Sequence, residues 1–328
     1  MKITRRTFLA GAGAAAATVA APLKPAQAAI SENSYATLID LTLCDGCKDL
    51  SQPACVDSCR QGNADKFPKP DPKHIRDYWP QKKHEDWSKK KHLTNRLTPY
   101  NWIFVDTLEV EGRTLSVPRR CMHCDNPACV KLCPFGINHK TPEGPVWIDP
   151  NLCFGGAKCR TVCPWSVPQR QAGVGVYTLW ESFMPVGGGV MYKCDLCRKR
   201  LARGDNPHCV DSCPKKAMLI GKRKEIFAEA EKRAAATGGH LYGMEENGGT
   251  STIYVSPVPF EAIDKAILAR AEKIKAKAPK GKKLPKPMRM HKPENMLAKQ
   301  TEWAAASVIA PALGALAAFV ATTKKEEK

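Results

Sequence analysis

Fifteen cysteines fall in four groups, and every group closes in Cys-x3-Cys. The groups are Cys44, Cys47, Cys55, Cys59; Cys121, Cys124, Cys129, Cys133; Cys153, Cys159, Cys163; and Cys194, Cys197, Cys209, Cys213. In three of them the last cysteine precedes a proline, at Pro134, Pro164 and Pro214, while Cys59 precedes Arg60. Three closely spaced thiolates can chelate one iron–sulfur cluster locally, whereas the fourth cannot fold back and serves a neighbouring cluster. The spacing therefore predicts clusters in pairs, and a protein that conducts electrons. Zinc is the rival, since Cys-x2-Cys pairs also hold structural zinc. Zinc, however, has no use for the terminal Cys-x3-Cys-Pro, and a zinc-stabilised adaptor is the remote alternative. Cysteine is too sparse for a small disulfide scaffold.

The third group differs. Its spacing, Cys153-x2-Gly156-x2-Cys159-x3-Cys163, puts glycine where the second ligand should stand. Glycine has no donor atom, so one iron corner lacks a protein thiolate. The expected centre is a [3Fe-4S] cluster held by Cys153, Cys159 and a cysteine from a partner group. A cubane with water on its fourth iron, or an empty site where Gly156 merely eases a turn, remain open. His123, inside the second group, reads as a donor to a ligand or a loop residue rather than a ligand.

Elements must carry these groups. The fold class expected is α+β: two ferredoxin-like double-cluster units with insertion loops, plus a C-terminal single transmembrane helix. The first cluster motif occupies 29–62 and pairs with 191–222; an insertion fills 63–118; the second ferredoxin unit spans 119–172; a loop and the fourth motif span 173–222. The insertion begins irregular, rich in Lys, Pro and Trp, then turns a hairpin at Glu111-Gly112 between Trp102–Val110 and Thr114–Val117. Trp79, Trp87 and Trp102 read as cover over the cluster core, with interface anchoring as the alternative. Gly173–Gly175 and Gly187–Gly189 fit no phosphate-binding pattern and read as loop. A helix/strand extension covers 223–271, with helices over Lys222–Ala236 and Glu261–Lys277 and a strand over Ser251–Val258.

The net charge of +19 suggests nucleic acid until its distribution is read. Lys2, Arg5, Arg6 and Lys24 crowd the first 28 residues, and residues 272–300 carry ten Lys and Arg against two Glu. There is no basic stripe interleaved with aromatics, so no nucleic-acid partner is expected. Residues 1–28 read as a twin-arginine signal peptide around Arg5-Arg6, ending at Ala26-Gln27-Ala28. Such export moves folded proteins, so clusters could be inserted before the thiols meet an oxidising compartment. Residues 272–300 read as a basic Lys/Pro tether, 301–323 as a membrane anchor, and 324–328 as a cytoplasmic tail. An Ala-rich helix packed on a partner is the alternative for the anchor. The expected location is the periplasmic side of the cytoplasmic membrane.

The runs Arg120-Cys-Met-His-Cys-Asp-Asn-Pro-Ala-Cys129, Lys193-Cys-Asp-Leu-Cys197 and Asn206-Pro-His-Cys-Val-Asp-Ser-Cys-Pro214 resemble the four-cluster iron–sulfur subunits of molybdenum or tungsten bis-pterin oxidoreductases. Within that group the resemblance is strongest to membrane-bound formate dehydrogenase beta subunits, in the stretch Tyr242–Tyr254 and a C-terminal single-span anchor, and it implies a partner that oxidises formate; the iron–sulfur subunits of periplasmic nickel–iron hydrogenases look similar too. The resemblance implies four clusters, all cubanes in the usual formate dehydrogenase subunit; Gly156 departs from that pattern, so the expectation here is three [4Fe-4S] clusters and one [3Fe-4S] cluster, a centre that related subunits carry at the membrane-facing end. It assigns Cys44, Cys47, Cys55 with Cys213; Cys194, Cys197, Cys209 with Cys59; Cys121, Cys124, Cys129 with Cys163; and Cys153, Cys159 with Cys133. It implies no catalytic residues in this protein. The partners implied are a Mo/W catalytic subunit, or a nickel–iron hydrogenase large subunit, and an integral-membrane quinone or cytochrome b subunit.

Overall fold

A computed structural model describes residues 31, 34–77, 83–179, 187–279 and 286–297. Residues 1–28, read as a signal peptide, Trp79, the apolar segment 301–323 and residues 324–328 lie outside the described residues. Among those described, no helix is long and apolar enough to cross a membrane.

In chain order the elements begin with β1 (Tyr35–Asp40), α1 (Ala54–Gly62), β2 (Phe104–Val110), β3 (Arg113–Arg119), α2 (Ala128–Lys131), β4 (Asn138–Lys140) and β5 (Val146–Ile148). They continue with α3 (Lys158–Thr161), β6 (Gln169–Gln171), β7 (Val190–Tyr192), α4 (Arg198–Leu201), α5 (His208–Asp211), β8 (Met218–Lys222), α6 (Arg223–Thr237), β9 (His240–Tyr242), β10 (Thr252–Ser256) and α7 (Phe260–Ala276). One sheet, in the order β8-β1-β10-β9, organises residues 29–293. Its central pair is parallel, with Leu38 opposite Ile253, and both outer pairs are antiparallel. β1 and β10 are buried almost throughout because α6 covers one face of them, packing Ile226, Ala230 and Ala234 on Ala36, Leu38, Ile253 and Val255. These three recur every fourth residue, one stripe of a helix. α6 ends where Gly238 takes a left-handed conformation, φ 59,.

The cysteines ride on very short helices. α1 carries Cys55 and Cys59, while α2, α3 and α5 carry Cys129, Cys159 and Cys209 in four residues each. Pro53, Pro127 and Pro207 cap α1, α2 and α5, fixing φ where no helical N–H is needed,. The Cys-Pro steps disfavour helix at the last cysteine, so α2, α3 and α5 stop after one turn. The expected hairpin is β2–β3, with Glu111 and Gly112 both at positive φ (52 and 74), a two-residue turn matched to strand twist,.

One region differs from expectation. Residues 286–293, read as part of a spacer, dock on the body: Arg289 pairs with Asp264 at 2.6 Å, and Met290 is buried with its N–H on Asp264 at 2.8 Å. Met288 and Met290 supply the apolar contact that the Lys/Pro composition masked. The glycines 187–189 are loop, as expected, and are held by specific backbone contacts. Gly188 donates to the Phe154 carbonyl at 3.0 Å, and Gly189 sits at φ 128 against the Gln171 carbonyl, where any Cβ would overlap it. Gly189→Ala should therefore destabilise the protein by about 1–3 kcal/mol or more, read as a lowered denaturant midpoint; an unchanged midpoint would contradict the close approach.

Candidate metal centres

The first and fourth groups meet across α1 and α5. Ser58 donates to the His208 carbonyl at 3.1 Å and Ser212 to the Ala54 carbonyl at 3.2 Å. Between the helices one cavity is lined by Cys44, Cys47, Cys55 and Cys213. Cys59 lies on the other side, in the field of Cys209, Cys194 and Cys197. The second and third groups meet likewise. Cys124 and Cys129 both feel Cys121 and Cys163, while Cys159 feels Cys153, Cys163 and Cys133. Each set thus joins one group to the closing cysteine of another. Across the two halves, Cys121 stands in the field of Cys194.

Such company is costly for thiolates. Burial pushes Cys44 up to about 11 and Cys124, Cys159 and Cys194 up to about 12, and neighbouring thiols push further in the same direction. Iron binds the thiolate, so positive charge must stand among these sulfurs. Two cations are built into the protein. Arg120 is 1% exposed, and burial alone would lower its pKa, yet Cys194, Cys209 and neighbours raise it overall. Lys193 is buried with the same outcome, raised chiefly by Cys121, Cys129 and Cys194. Arg120 Nε has no hydrogen-bond partner among the described residues, a buried donor left over beside sulfur.

Several N–H groups already point at thiols: Gly155 and Met191 at Cys153 (3.4 and 3.5 Å), Leu196 at Cys194 (3.4 Å), and Asn247 Nδ2 at Cys124 (3.4 Å). Positive φ at Cys47, His123, Leu196 and Cys197 curls the Cys-x2-Cys loops, the kind of turn that aims successive amides inward at an anion. Among the described residues, no three His, Cys, Asp or Glu side chains converge closely enough for a single metal ion. Thiol cages around a space wider than one ion, with surplus donors and buried cations, fit polynuclear iron–sulfur clusters better than zinc.

At the third group, Gly156 is exposed with ordinary φ, and a Cβ there would meet nothing within 4 Å. The position of the absent ligand is open space. Over this group lies a strap from the insertion. Glu85 accepts from Arg160 (2.7 and 2.6 Å) and from Arg170 (2.6 Å), and Arg170 donates to the Gly155 carbonyl at 2.8 Å. Burial opposes ionisation of Glu85, but the two guanidiniums hold its carboxyl below the usual range. Of the tryptophans read as cover, Trp102 is buried edge-on to Phe67 (5.6 Å), and Trp87 lies under Arg96 (5.0 Å).

Sequence reasoning missed Arg120, Lys193 and Glu85. The first two had a signal, a basic residue directly before the opening cysteine of groups two and four; Glu85 had none. Glu85→Ala should take from buried Arg170 the carboxylate it meets at 2.6 Å and cost about 1–3 kcal/mol at neutral pH,, measured by denaturation. Because its pKa is depressed on folding, the wild-type contribution is full above the ordinary glutamate value and is lost as pH falls through the folded value. The variant's deficit should therefore shrink in acid.

Two family profiles, both described as 4Fe-4S dicluster domain, match residues 43–137 and 113–223. The hydrogenase-2 operon protein HybA of Escherichia coli O157:H7 is 30% identical over 334 residues, covering 86% of this chain and 92% of that protein. A protein of Nitratidesulfovibrio vulgaris is 34% identical over 271 residues, covering 79% of this chain and 65% of its own length, so the match spans just under two thirds of that relative. The B subunit of the anaerobic dimethyl sulfoxide reductase of Escherichia coli K12 is 38% identical over 106 residues, 32% of this chain and 45% of that subunit. This protein belongs to the 4Fe-4S dicluster family and is an iron–sulfur electron-transfer subunit of an oxidoreductase complex, not a catalyst by itself.

Proposed function

We propose that this protein is a four-centre wire carrying electrons between a catalytic subunit and a membrane-bound acceptor. The observation that carries the reading is that cysteines distant in sequence gather in the fold, Cys44, Cys47, Cys55 and Cys213 around one cavity and Cys121 near enough to Cys194 to raise its pKa. The ligand sets are Cys44, Cys47, Cys55, Cys213; Cys59, Cys194, Cys197, Cys209; Cys121, Cys124, Cys129, Cys163; and Cys133, Cys153, Cys159. The first three hold [4Fe-4S] clusters and the last a [3Fe-4S] cluster. These groups supply one-electron carriers when bound; the polypeptide insulates them, fixes their order and sets their surroundings. Leu43 and Leu50 (44% and 54% exposed) lie by the first group, and Phe135 and Leu152 (both 55%) by the third. Exposed apolar side chains at both ends suit partners that exclude water where electrons enter and leave.

The catalytic partner is a nickel–iron hydrogenase, a choice supported by the near full-length match to a hydrogenase-2 operon protein. A molybdenum or tungsten bis-pterin enzyme is the second reading, supported by the partial match to a dimethyl sulfoxide reductase subunit. Formate dehydrogenase within that class rests only on the Tyr242–Tyr254 stretch. Export by the twin-arginine signal, residence on the periplasmic face and anchoring by 301–323 belong to the same proposal.

Metal analysis of the native complex tests the partner. About 15 iron atoms per copy of this protein, with nickel in the partner, are expected; molybdenum or tungsten would move the choice to the bis-pterin class, and colourless, iron-free material would end the wire. Gly156→Cys tests the third centre. It should turn a [3Fe-4S] signal into that of a cubane of lower potential, since added thiolate charge disfavours reduction; an unchanged electron paramagnetic resonance spectrum would refute the vacancy.

A further inference from the structure

His123 belongs by sequence to the second cysteine group, yet its ring serves the fourth. It is fully buried, and its backbone takes φ 49, a region costly for most side chains,. Its ring Nδ1 accepts the backbone N–H of Val146 at 3.0 Å. An acceptor nitrogen carries no proton, so in the neutral ring the proton sits on Nε2. Nε2 lies 3.6 Å from Sγ of Cys194, and Leu196 N–H reaches the same sulfur at 3.4 Å. The His123 carbonyl accepts from Ser251 N at 3.1 Å. Val146 fixes more than the tautomer, since its own carbonyl accepts from Lys193 Nζ, which also donates to the Cys194 carbonyl at 3.0 Å. A single residue of β5 thereby clamps a ring from group two and an ammonium from group four.

We infer that His123 is a positioning residue that couples the two cluster pairs, donating its Nε2–H to Sγ of Cys194 and thereby raising the reduction potential of the centre that this thiolate binds. The inference rests on the ligand sets proposed above. Reduction adds negative charge that spreads onto the sulfurs, so a donor to sulfur stabilises the reduced state more than the oxidised one. A buried Nε2–H without an acceptor would be costly. Here the one offered is a thiol of the other pair, at the step where electrons must cross between pairs.

The test uses the full-length protein loaded with its clusters. His123→Asn keeps a residue tolerant of positive φ but is too short to reach Cys194. Potentiometric titration followed by electron paramagnetic resonance should show one cubane shifted downward, by about tenfold in its redox equilibrium or about 59 mV, with the other centres and the iron content unmoved. Wild-type protein with ring-15N histidine offers a measurement that needs no variant: pulsed paramagnetic resonance should detect a 15N coupling and an exchangeable proton at a reduced cubane. That coupling should survive His208→Asn and vanish in His123→Asn. Iron-replete protein with unmoved potentials, or with no histidine coupling, overturns this link alone. Iron-poor wild-type protein overturns the cluster reading along with it.

Discussion

Fifteen cysteine sulfurs gathered in one protein repel one another whenever they ionise, and with eight of them buried and seven half-buried, water screens them poorly. Two unit charges at 4 Å interact by about 4 kcal/mol at an effective dielectric of 20, and each cage holds several such pairs. The response of the bare polypeptide is visible in thiols pushed up to about 11 or 12. Only cations placed among the sulfurs make the thiolates tenable, so binding iron and completing the fold are one process. Short proline-capped helices follow from the same demand. A single turn presents its cysteine, then the backbone must leave at once to bring the next thiol to a different cage.

The residue before the opening cysteine of each group shows how charge is distributed along the wire. In groups two and four it is Arg120 and Lys193, both buried; in groups one and three it is Leu43 and Leu152, both half exposed. The groups with cations are those whose thiols face each other across the halves, where no solvent and no partner can neutralise them. Those with leucines open outward, where another protein can cover them. One sequence position therefore separates the groups with buried cations from those with exposed leucines, which suits the proposed wire.

The cysteine groups were legible because ligand spacing is local and repeated. So were β2–β3, whose Glu111-Gly112 turn needs only its own backbone, and α6, whose Ile226, Ala230 and Ala234 stripe is periodic. What sequence did not disclose was which distant residue answers which. Glu85 sits 75 residues from Arg160 and 85 from Arg170, and nothing in its neighbourhood marks it. His123 was readable as a donor, but its acceptor, 71 residues away, depends on how the two halves close. Residues 286–293 failed to announce themselves because the contacts of buried Met290 and half-buried Met288 are outvoted by lysine and proline in any window.

Charge is balanced by the same logic at the inner junction and at the third group. At the junction Arg120 and Lys193 form no salt bridge with a carboxylate among the described residues, and the thiols around them are the main source of their raised pKa values. At the third group two guanidiniums, Arg160 and Arg170, share Glu85, which cancels half of what they bring. That group is also the one short of a thiolate, because Gly156 replaces it. Fewer anionic sulfurs need less compensation, and the protein supplies less. Had the third group carried a fourth cysteine, the same strap would leave it under-neutralised; had the junction carried a carboxylate, Cys121 and Cys194 would face one another with nothing between them.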